Sequence, residues 1–223
     1  MDIALVAVAG ATGLAFGWFA AGWQHLLYRQ AEYRDNPMSG ARLQRYRLAL
    51  AVVCAAGAAL ALRPGHYDPG PAVLSGGFFL VLSVLSSTDF ERRIIPNRLL
   101  YPALVAAAAS CRAWPDRSVA DIWLGAAFAA GVAGGLFAIG LLLGAALKLR
   151  GTPFGLGDVK LILLIGLLAG WPAVMSALFI GVLAAGVPSL FLLARGGASR
   201  YFSYGPYLAL GGAVVMLWPG RFV

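Results

Sequence analysis

The chain has 223 residues, of which 61% are hydrophobic and 12% are charged, and its mean hydropathy is +0.81. This composition excludes an ordinary soluble domain and predicts an all-α polytopic membrane protein, with one membrane domain over residues 1–223. The net charge of +8 does not indicate nucleic-acid binding, because the basic residues lie in short loops between apolar segments. We therefore expect membrane lipids, and no nucleic acid, as partners.

Eight apolar segments are predicted to be transmembrane helices. In chain order they cover residues 3–27, 48–62, 72–88, 99–113, 119–147, 160–171, 173–194 and 202–218. Asp2 before the first segment and Arg29 after it reverse the charge pattern of a signal peptide, so we expect an uncleaved helix with its N-terminus outside. The sixth segment is the shortest, with 12 residues. A helix of this length extends only ~18 Å, whereas the hydrocarbon core is ~30 Å thick.

The distribution of Lys and Arg predicts which loops are cytoplasmic. Residues 28–47 form a basic loop after the first segment, and 13 of the 17 Lys and Arg residues fall on the same side of the membrane as this loop. Because cytoplasmic loops carry the excess of positive charge, we assign this side to the cytoplasm and both termini to the outside. In the fifth segment, Gly131, Gly134 and Gly135 predict close packing against a neighbouring helix.

The cysteines and histidines do not indicate a metal site or a disulfide. Cys54 and Cys111 both lie in apolar segments, and neither belongs to a CxxC pair. His25 and His66 lie apart and outside any cluster. We therefore predict buried structural thiols, no bound metal and no cofactor.

Two aspartates lie where apolar segments meet the predicted cytoplasmic face. Asp89 follows the third segment, and Asp158 precedes the sixth within a glycine-rich turn. Ionisable residues at such positions are costly and are candidates for function. If the third and sixth segments pack together, the two carboxylates meet, and a pair of aspartates that shares one proton activates water in aspartic proteases. The alternative for the glycine-rich turn is a plain connection between two spans.

The ends of the predicted helices suggest different roles for the two carboxylates. We expect Asp158 to be the N-cap of the sixth helix, with amide N–H groups freed by Gly155 and Gly157 near its carboxylate. A helix N-terminus favours an anion and a C-terminus disfavours one, and two adjacent carboxylates do not both ionise readily. This argument predicts Asp158 as the base and Asp89 as the acid.

Three motifs resemble those of the type IV leader peptidases, or prepilin peptidases, a peptidase A24 family of GxGD-type membrane aspartic proteases. The motifs are Asp89 with Ile95, Pro96 and Asn97 behind it, residues 155–161 (GLGDVKL) and residues 204–209 (YGPYLA). They occur in the order of the family, each at a segment boundary, within a peptidase core of about residues 74–212. The resemblance implies that Asp89 and Asp158 are the catalytic pair. It also implies cleavage of the basic leader of type IV prepilins or pseudopilins at the cytoplasmic face of the inner membrane, typically after a glycine.

The chain departs from many members of the family in the loop after the first segment. Those members carry two CxxC pairs there that bind zinc, and they also methylate the new amino terminus with S-adenosylmethionine. Residues 28–47 contain no cysteine. We therefore predict a peptidase without methyltransferase activity.

Eight further residues are predicted to support the aspartates or to bind substrate. They are Gly155, Gly157, Lys160, Glu91, Pro96, Asn97, Gly205 and Pro206. Each has a structural alternative. Lys160 is also typical of an interfacial lysine, Pro96 and Asn97 of a helix start, and Gly205 and Pro206 of a kink. Glu91 is predicted to bind the basic leader.

Two other functions fit a membrane protein with these two aspartates less well. A presenilin-type GxGD protease would place both aspartates deep in adjacent long spans, whereas here they flank predicted cytoplasmic loops. An ion- or proton-coupled transporter would be expected to show an inverted repeat and further intramembrane acids. The sequence shows neither feature.

Overall fold

A computed structural model describes residues 3–27, 40–146, 155–194 and 203–222 of the chain. Within these ranges the chain forms eight helices and no strand, which confirms the all-α prediction. The helices are α1 (Ile3–Leu27), α2 (Gly40–Ala61), α3 (Pro69–Arg92), α4 (Asn97–Ala109), α5 (Val119–Ala146), α6 (Leu156–Ala169), α7 (Ala173–Ala194) and α8 (Gly205–Leu217). Residues 28–39 of the predicted basic loop lie outside the described part of the chain.

Five of the described helices are long and apolar enough to cross a membrane, namely α1, α2, α3, α5 and α7. The other three are shorter, with 13 residues in α4, 14 in α6 and 13 in α8. At 1.5 Å per residue these helices extend ~20 Å, less than the ~30 Å of the hydrocarbon core. The chain is therefore a polytopic membrane protein in which long and short helices are combined.

Several helices extend further than their apolar segments. Residues 40–47, which the sequence interpretation placed in the basic loop, form the start of α2, and α3 continues to Arg92 beyond the predicted end at residue 88. Similarly, α6 begins four residues before the predicted segment. Hydropathy marks where a helix becomes apolar, whereas hydrogen bonding continues through polar residues such as those at the end of α3.

The first compact unit comprises residues 1–88. Within it α1 packs closely on α2, since a Cβ atom added to Gly17 would lie 2.6 Å from the Cα atom of Ala51. Gln24 of α1 is only 2% exposed and donates from Nε2 to the Val84 carbonyl of α3 at 3.2 Å. Its Oε1 accepts a hydrogen bond from Ser87 at 3.2 Å. The buried amide therefore links α1 to α3 with its polar groups satisfied.

The second compact unit comprises residues 89–223, so the boundary between the units falls inside α3. Helix α6 is its centre and contacts α4, α5, α7 and α8. The side chains of Leu161, Leu164 and Ile165 are fully buried. A helix that is apolar on all sides is typical of such an enclosed position.

One close helix contact in this unit joins α5 to α6. A Cβ atom on Gly166 would lie 2.7 Å from the carbonyl oxygen of Gly125, so the absence of side chains is required at this crossing. Gly131, Gly134 and Gly135 have no atom of another described element within 4 Å of such a Cβ atom, so the prediction that they mediate close packing is wrong for the described residues. The glycine content of α5 was informative, but it did not indicate which face meets a partner.

The C-terminal end of α6 is closed by Arg117. Its Nη1 donates hydrogen bonds to the carbonyl oxygens of Leu168 and Ala169, the latter at 3.1 Å, and its Nη2 lies 2.7 Å from Oδ2 of Asp116. A cation is stabilising at this end of a helix because the last carbonyl groups lack helical partners. The central helix is thus fixed at the end opposite to Asp158.

Candidate active site

Asp89 lies in the last turn of α3, and the helix ends there because of the next residues. The N–H of Arg93 donates to the Asp89 carbonyl at 2.8 Å, and Arg93 has a φ of 57°, a left-handed conformation that terminates helices. The side chain of Asp89 is buried, with the residue only 5% exposed. The sequence interpretation placed Asp89 just after the helix, whereas the structure holds it inside the final turn.

Two hydrogen-bond donors from the segment that enters α8 bind the Asp89 carboxylate. The N–H of Gly205 donates to Oδ2 at 3.1 Å, and the hydroxyl of Ser203 donates to the same oxygen. Donors to a carboxylate favour its ionised form. The start of α8 therefore supplies the polar environment that a buried carboxylate at position 89 requires.

Gly205 is required at this position because of its contact with Asp89. A Cβ atom there would overlap Asp89 Oδ2 and lie 2.9 Å from Cγ. Pro206 follows in the first turn of α8, where a residue without an N–H group does not remove a helical hydrogen bond. Gly205 therefore contacts a predicted catalytic residue, and Pro206 occupies a position typical of a helix start.

Asp158 is the third residue of α6, and the prediction that it is the N-cap is wrong. Gly155 is the N-cap, with φ −83° and ψ 147°, and its N–H donates to Oδ2 of Asp158 at 3.3 Å. This arrangement is the acidic half of a capping box, in which the side chain at N3 reaches back to the N-cap. Gly157 lies between them, and a Cβ atom on it would lie 3.2 Å from Cβ of Ile95, so this glycine allows the segment after α3 to approach α6.

The two aspartates share one electrostatic environment. Burial, and in addition the charge of Asp89, raise the pKa of Asp158 to about 6, whereas the hydrogen bond from Gly155 opposes the change. Asp89 and Asp158, which the sequence interpretation pairs, thus interact electrostatically. Below about pH 6, such a pair holds one proton more readily than none.

The hydrogen bonds favour the opposite division of roles from the one predicted from helix ends. Asp89 accepts from Ser203 and Gly205 and has a favourable coulombic interaction with Arg93, whereas Asp158 accepts one longer bond from Gly155. Hydrogen bonds to a charged group contribute ~1.5–3 kcal/mol, more than the ~0.3–1 kcal/mol of an exposed helix dipole. The donors at Asp89 therefore favour an anion there more than the single donor at Asp158 does.

Lys160 is bound to α4. Its Nζ donates to Oδ1 of Asn97 at 3.0 Å and lies 4.8 Å from the centroid of the Tyr101 ring. Pro96 precedes α4, and its carbonyl accepts from the N–H groups of Leu99 and Leu100 at 3.0 Å. Pro96 and Asn97 therefore start α4, and Asn97 also connects this helix to the first turns of α6.

The side chain of Glu91 is only 2% exposed, and its Oε1 lies 3.7 Å from Nε of Arg92. A side chain with so little exposed surface has a geometry poorly suited to leader binding. Glu91 is better explained as part of the protein's own ionic structure at the end of α3.

Ser203 was missed by the sequence interpretation. It lies two residues before Gly205, and its partner Asp89 is 114 residues away, so no local spacing identifies it.

Within the described part of the chain no group of three or more His, Cys, Asp and Glu residues is arranged to hold a metal ion. A cavity of about 240 Å³ lined by residues including Arg117, Asp121 and Trp218 contains none of the predicted site residues.

The fold and the site define a helical membrane protein with a pair of interacting aspartates at helix ends. Comparison with known protein families matches residues 77–190 to the Type IV leader peptidase family. The match covers half of the chain and includes both aspartates, and the chain therefore belongs to this family. It ends before Ser203 and Gly205.

Curated relatives carry a matching name. The chain is 29% identical over 193 residues to the prepilin leader peptidase/N-methyltransferase of Burkholderia pseudomallei strain 1026b, and equally to that of strain K96243. Each alignment covers 82% of this chain and 57% of the relative. The chain thus spans a little over half the length of these relatives. No solved structure matches the chain.

Proposed function

We propose that the chain is a membrane-embedded aspartic endopeptidase that removes the basic leader of type IV prepilin-like proteins. Asp89 and Asp158 are the catalytic pair in this proposal. The observation that carries it is the electrostatic interaction of these two aspartates, in a chain of the type IV leader peptidase family. The names of the relatives support prepilins as the substrate class.

The proposed reaction begins with ionised Asp89, protonated Asp158 and a water molecule. Asp89 takes a proton from the water while the water oxygen attacks the peptide carbonyl carbon, and Asp158 gives its proton to the carbonyl oxygen. In the resulting diol, Asp89 protonates the amide nitrogen, the C–N bond breaks, and one hydroxyl returns a proton to Asp158. The pair then holds one proton, as it did at the start.

In this proposal the protein lies in the inner (cytoplasmic) membrane, and its active site faces the cytoplasm. The support is the excess of Lys and Arg on the side of residues 28–47, which is also the side of the two aspartates in the predicted topology. The hydrophobic helix of the substrate would lie in the bilayer, so that its junction with the leader reaches the aspartates. The proposed partners of the protein are prepilin-type substrates and membrane lipids.

We further propose that this chain lacks methyltransferase activity. The names of the relatives include N-methyltransferase, but residues 28–47 contain no CxxC pair, and the chain has only two cysteines. No cofactor is required by the proposed peptidase reaction, because water and two carboxylates supply every proton and bond that it needs.

The proposal is tested by incubating the purified full chain in detergent with a synthetic prepilin of basic leader and with a variant whose glycine before the cleavage site is replaced. We expect cleavage at the leader junction of the first substrate only. Asp89→Asn and Asp158→Asn should each abolish cleavage. Asp116→Asn, at the opposite end of α6, should retain it.

Other outcomes contradict the proposal in distinguishable ways. Cleavage within the hydrophobic helix of the substrate would indicate a presenilin-type protease. Absence of cleavage together with proton flux in vesicles would indicate a transporter. Full activity in either Asp→Asn variant would remove that aspartate from the chemistry.

A further inference from the structure

We infer that Ser203 is a positioning residue that holds Asp89 ionised and oriented as the base of the pair. This inference rests on the proposed function, and it adds a residue outside the three motifs and outside the range matched to the family. Ser203 precedes α8 and lies 114 residues from Asp89 in the sequence. The contact is therefore created by the tertiary fold.

The two donors act on one oxygen of the carboxylate. The hydroxyl of Ser203 and the N–H of Gly205 both bind Oδ2 of Asp89. Binding one oxygen from two directions fixes the rotation of the carboxylate, which directs Oδ1 away from these donors and leaves it for a water molecule. A base must be held within hydrogen-bond reach of the proton that it takes, so this fixed rotation contributes to the reaction.

The same two donors determine which aspartate remains charged. Ser203 and Gly205, in the segment that enters α8, donate to Asp89. Two charged groups also act on Asp89, namely Asp158 of α6 and Arg93 in the turn after α3. Arg93 favours charge on Asp89, and the carboxylate of Asp158 disfavours it. Replacing Ser203 by alanine would remove one donor and leave both of these charges in place.

Ser203 is the donor that mutation removes cleanly. Gly205 donates through its backbone, and a side chain at that position would displace the carboxylate, so its two effects are not separable by substitution. Ser203→Ala removes only the hydroxyl, whereas Ser203→Thr retains a hydroxyl donor. The pair Ser203→Ala and Ser203→Thr therefore separates loss of the hydrogen bond from loss of packing.

The experiment compares kcat/KM for prepilin cleavage between pH 4 and 9 in the wild type, Ser203→Ala and Ser203→Thr. Ser189→Ala is the control, since the Ser189 hydroxyl bonds within α7 to Ala185. Protonation of the base limits activity at low pH. In Ser203→Ala we expect the acidic limb to move up by roughly one pH unit, the change that corresponds to one hydrogen bond to a charged group. We expect kcat to fall about tenfold near the acidic limb with KM unchanged, and Ser203→Thr to restore both.

Two kinetic results would overturn the inference. One is a pH profile of Ser203→Ala that coincides with the wild-type profile. The other is a loss as complete as in Asp89→Asn, which would place Ser203 in the chemistry itself. If both Asp→Asn variants remain active, the proposed function fails instead. Infrared bands of the Asp89 carboxylate test the hydrogen bond without substrate: a shift in Ser203→Ala supports the inference, and unchanged bands contradict it.

Discussion

The N–H of Gly205 donates to Oδ2 of Asp89 at 3.1 Å, although the two residues are 116 positions apart. The first residue of α8 thus touches the last turn of α3 through backbone and carboxylate. A short helix in the second unit contributes directly to the site, even though its own sequence contains no acidic residue. The contact requires a residue without a side chain at position 205.

Gly205→Ala should impair cleavage strongly while the protein still folds. The added methyl group would overlap Oδ2 and displace a carboxylate that has to be held in place, and misplacement by 1 Å costs ~10²-fold in rate. Cleavage rates of the purified variant test this expectation. Gly186→Ala is the matched control, because nothing in the described part of the chain lies within 4 Å of a Cβ atom at Gly186. Equal rates for the two variants would show that the contact is unimportant.

Cleavage should decline as the pH rises through about 6. The proposed reaction needs a proton on Asp158, and burial together with the charge of Asp89 raises the pKa of this carboxyl to about 6. Above that pH the proton is lost, so kcat/KM should fall about tenfold per pH unit. A pH series with one synthetic prepilin measures this limb. Constant activity from pH 5 to 8 would exclude Asp158 as the acid.

The hydrogen bond between Lys160 and Asn97 should stabilise the packing of α4 on α6. Lys160→Met and Asn97→Ala each remove this bond, so each should lower the free energy of unfolding by ~0.5–1 kcal/mol. The double variant should lose about as much as either single variant, because all three lack the same bond. Reversible unfolding in mixed micelles, followed by tryptophan fluorescence, gives the values. Additive losses would mean that the two side chains act independently.

Glu91→Ala should reduce the processing of basic and neutral leaders by similar factors. The Glu91 side chain is almost fully buried beside Arg92, so its removal should disturb the end of α3 and not a surface for the leader. The measurement is kcat/KM on two substrates that differ only in leader charge. A selective loss on the basic leader would restore the hypothesis that Glu91 recognises positive charge.

The sequence was sufficient to predict the helices and to single out two aspartates as candidates. Helix α7 was predicted at its observed bounds, since an apolar segment lies between Pro172 and Arg195. Asp89 and Asp158 were identified because acidic residues at the ends of apolar segments are rare and costly. Periodicity and hydropathy are local properties, so they predict features that depend on neighbouring residues, such as the bounds of a helix.

Contacts between distant segments were beyond such reasoning. The hydroxyl of Ser203 reaches Asp89 only in the folded chain, and the crossing at Gly125 and Gly166 depends on the relative rotation of two helices. The helix-end argument for the base and the acid failed to include these donors. Direct hydrogen bonds outweigh a helix dipole, and they are created by tertiary structure.

The central claim is that the charge of Asp89 acts on Asp158, and its most direct test is the titration of Asp158 by isotope-edited infrared spectroscopy in the wild type and in Asp89→Asn. We predict that Asp158 titrates near pH 6 in the wild type. In Asp89→Asn its pKa should be lower, because the repelling charge is gone, but still above the ordinary value of an aspartate, because burial remains. An Asp158 pKa that is the same in both proteins would contradict a shared site.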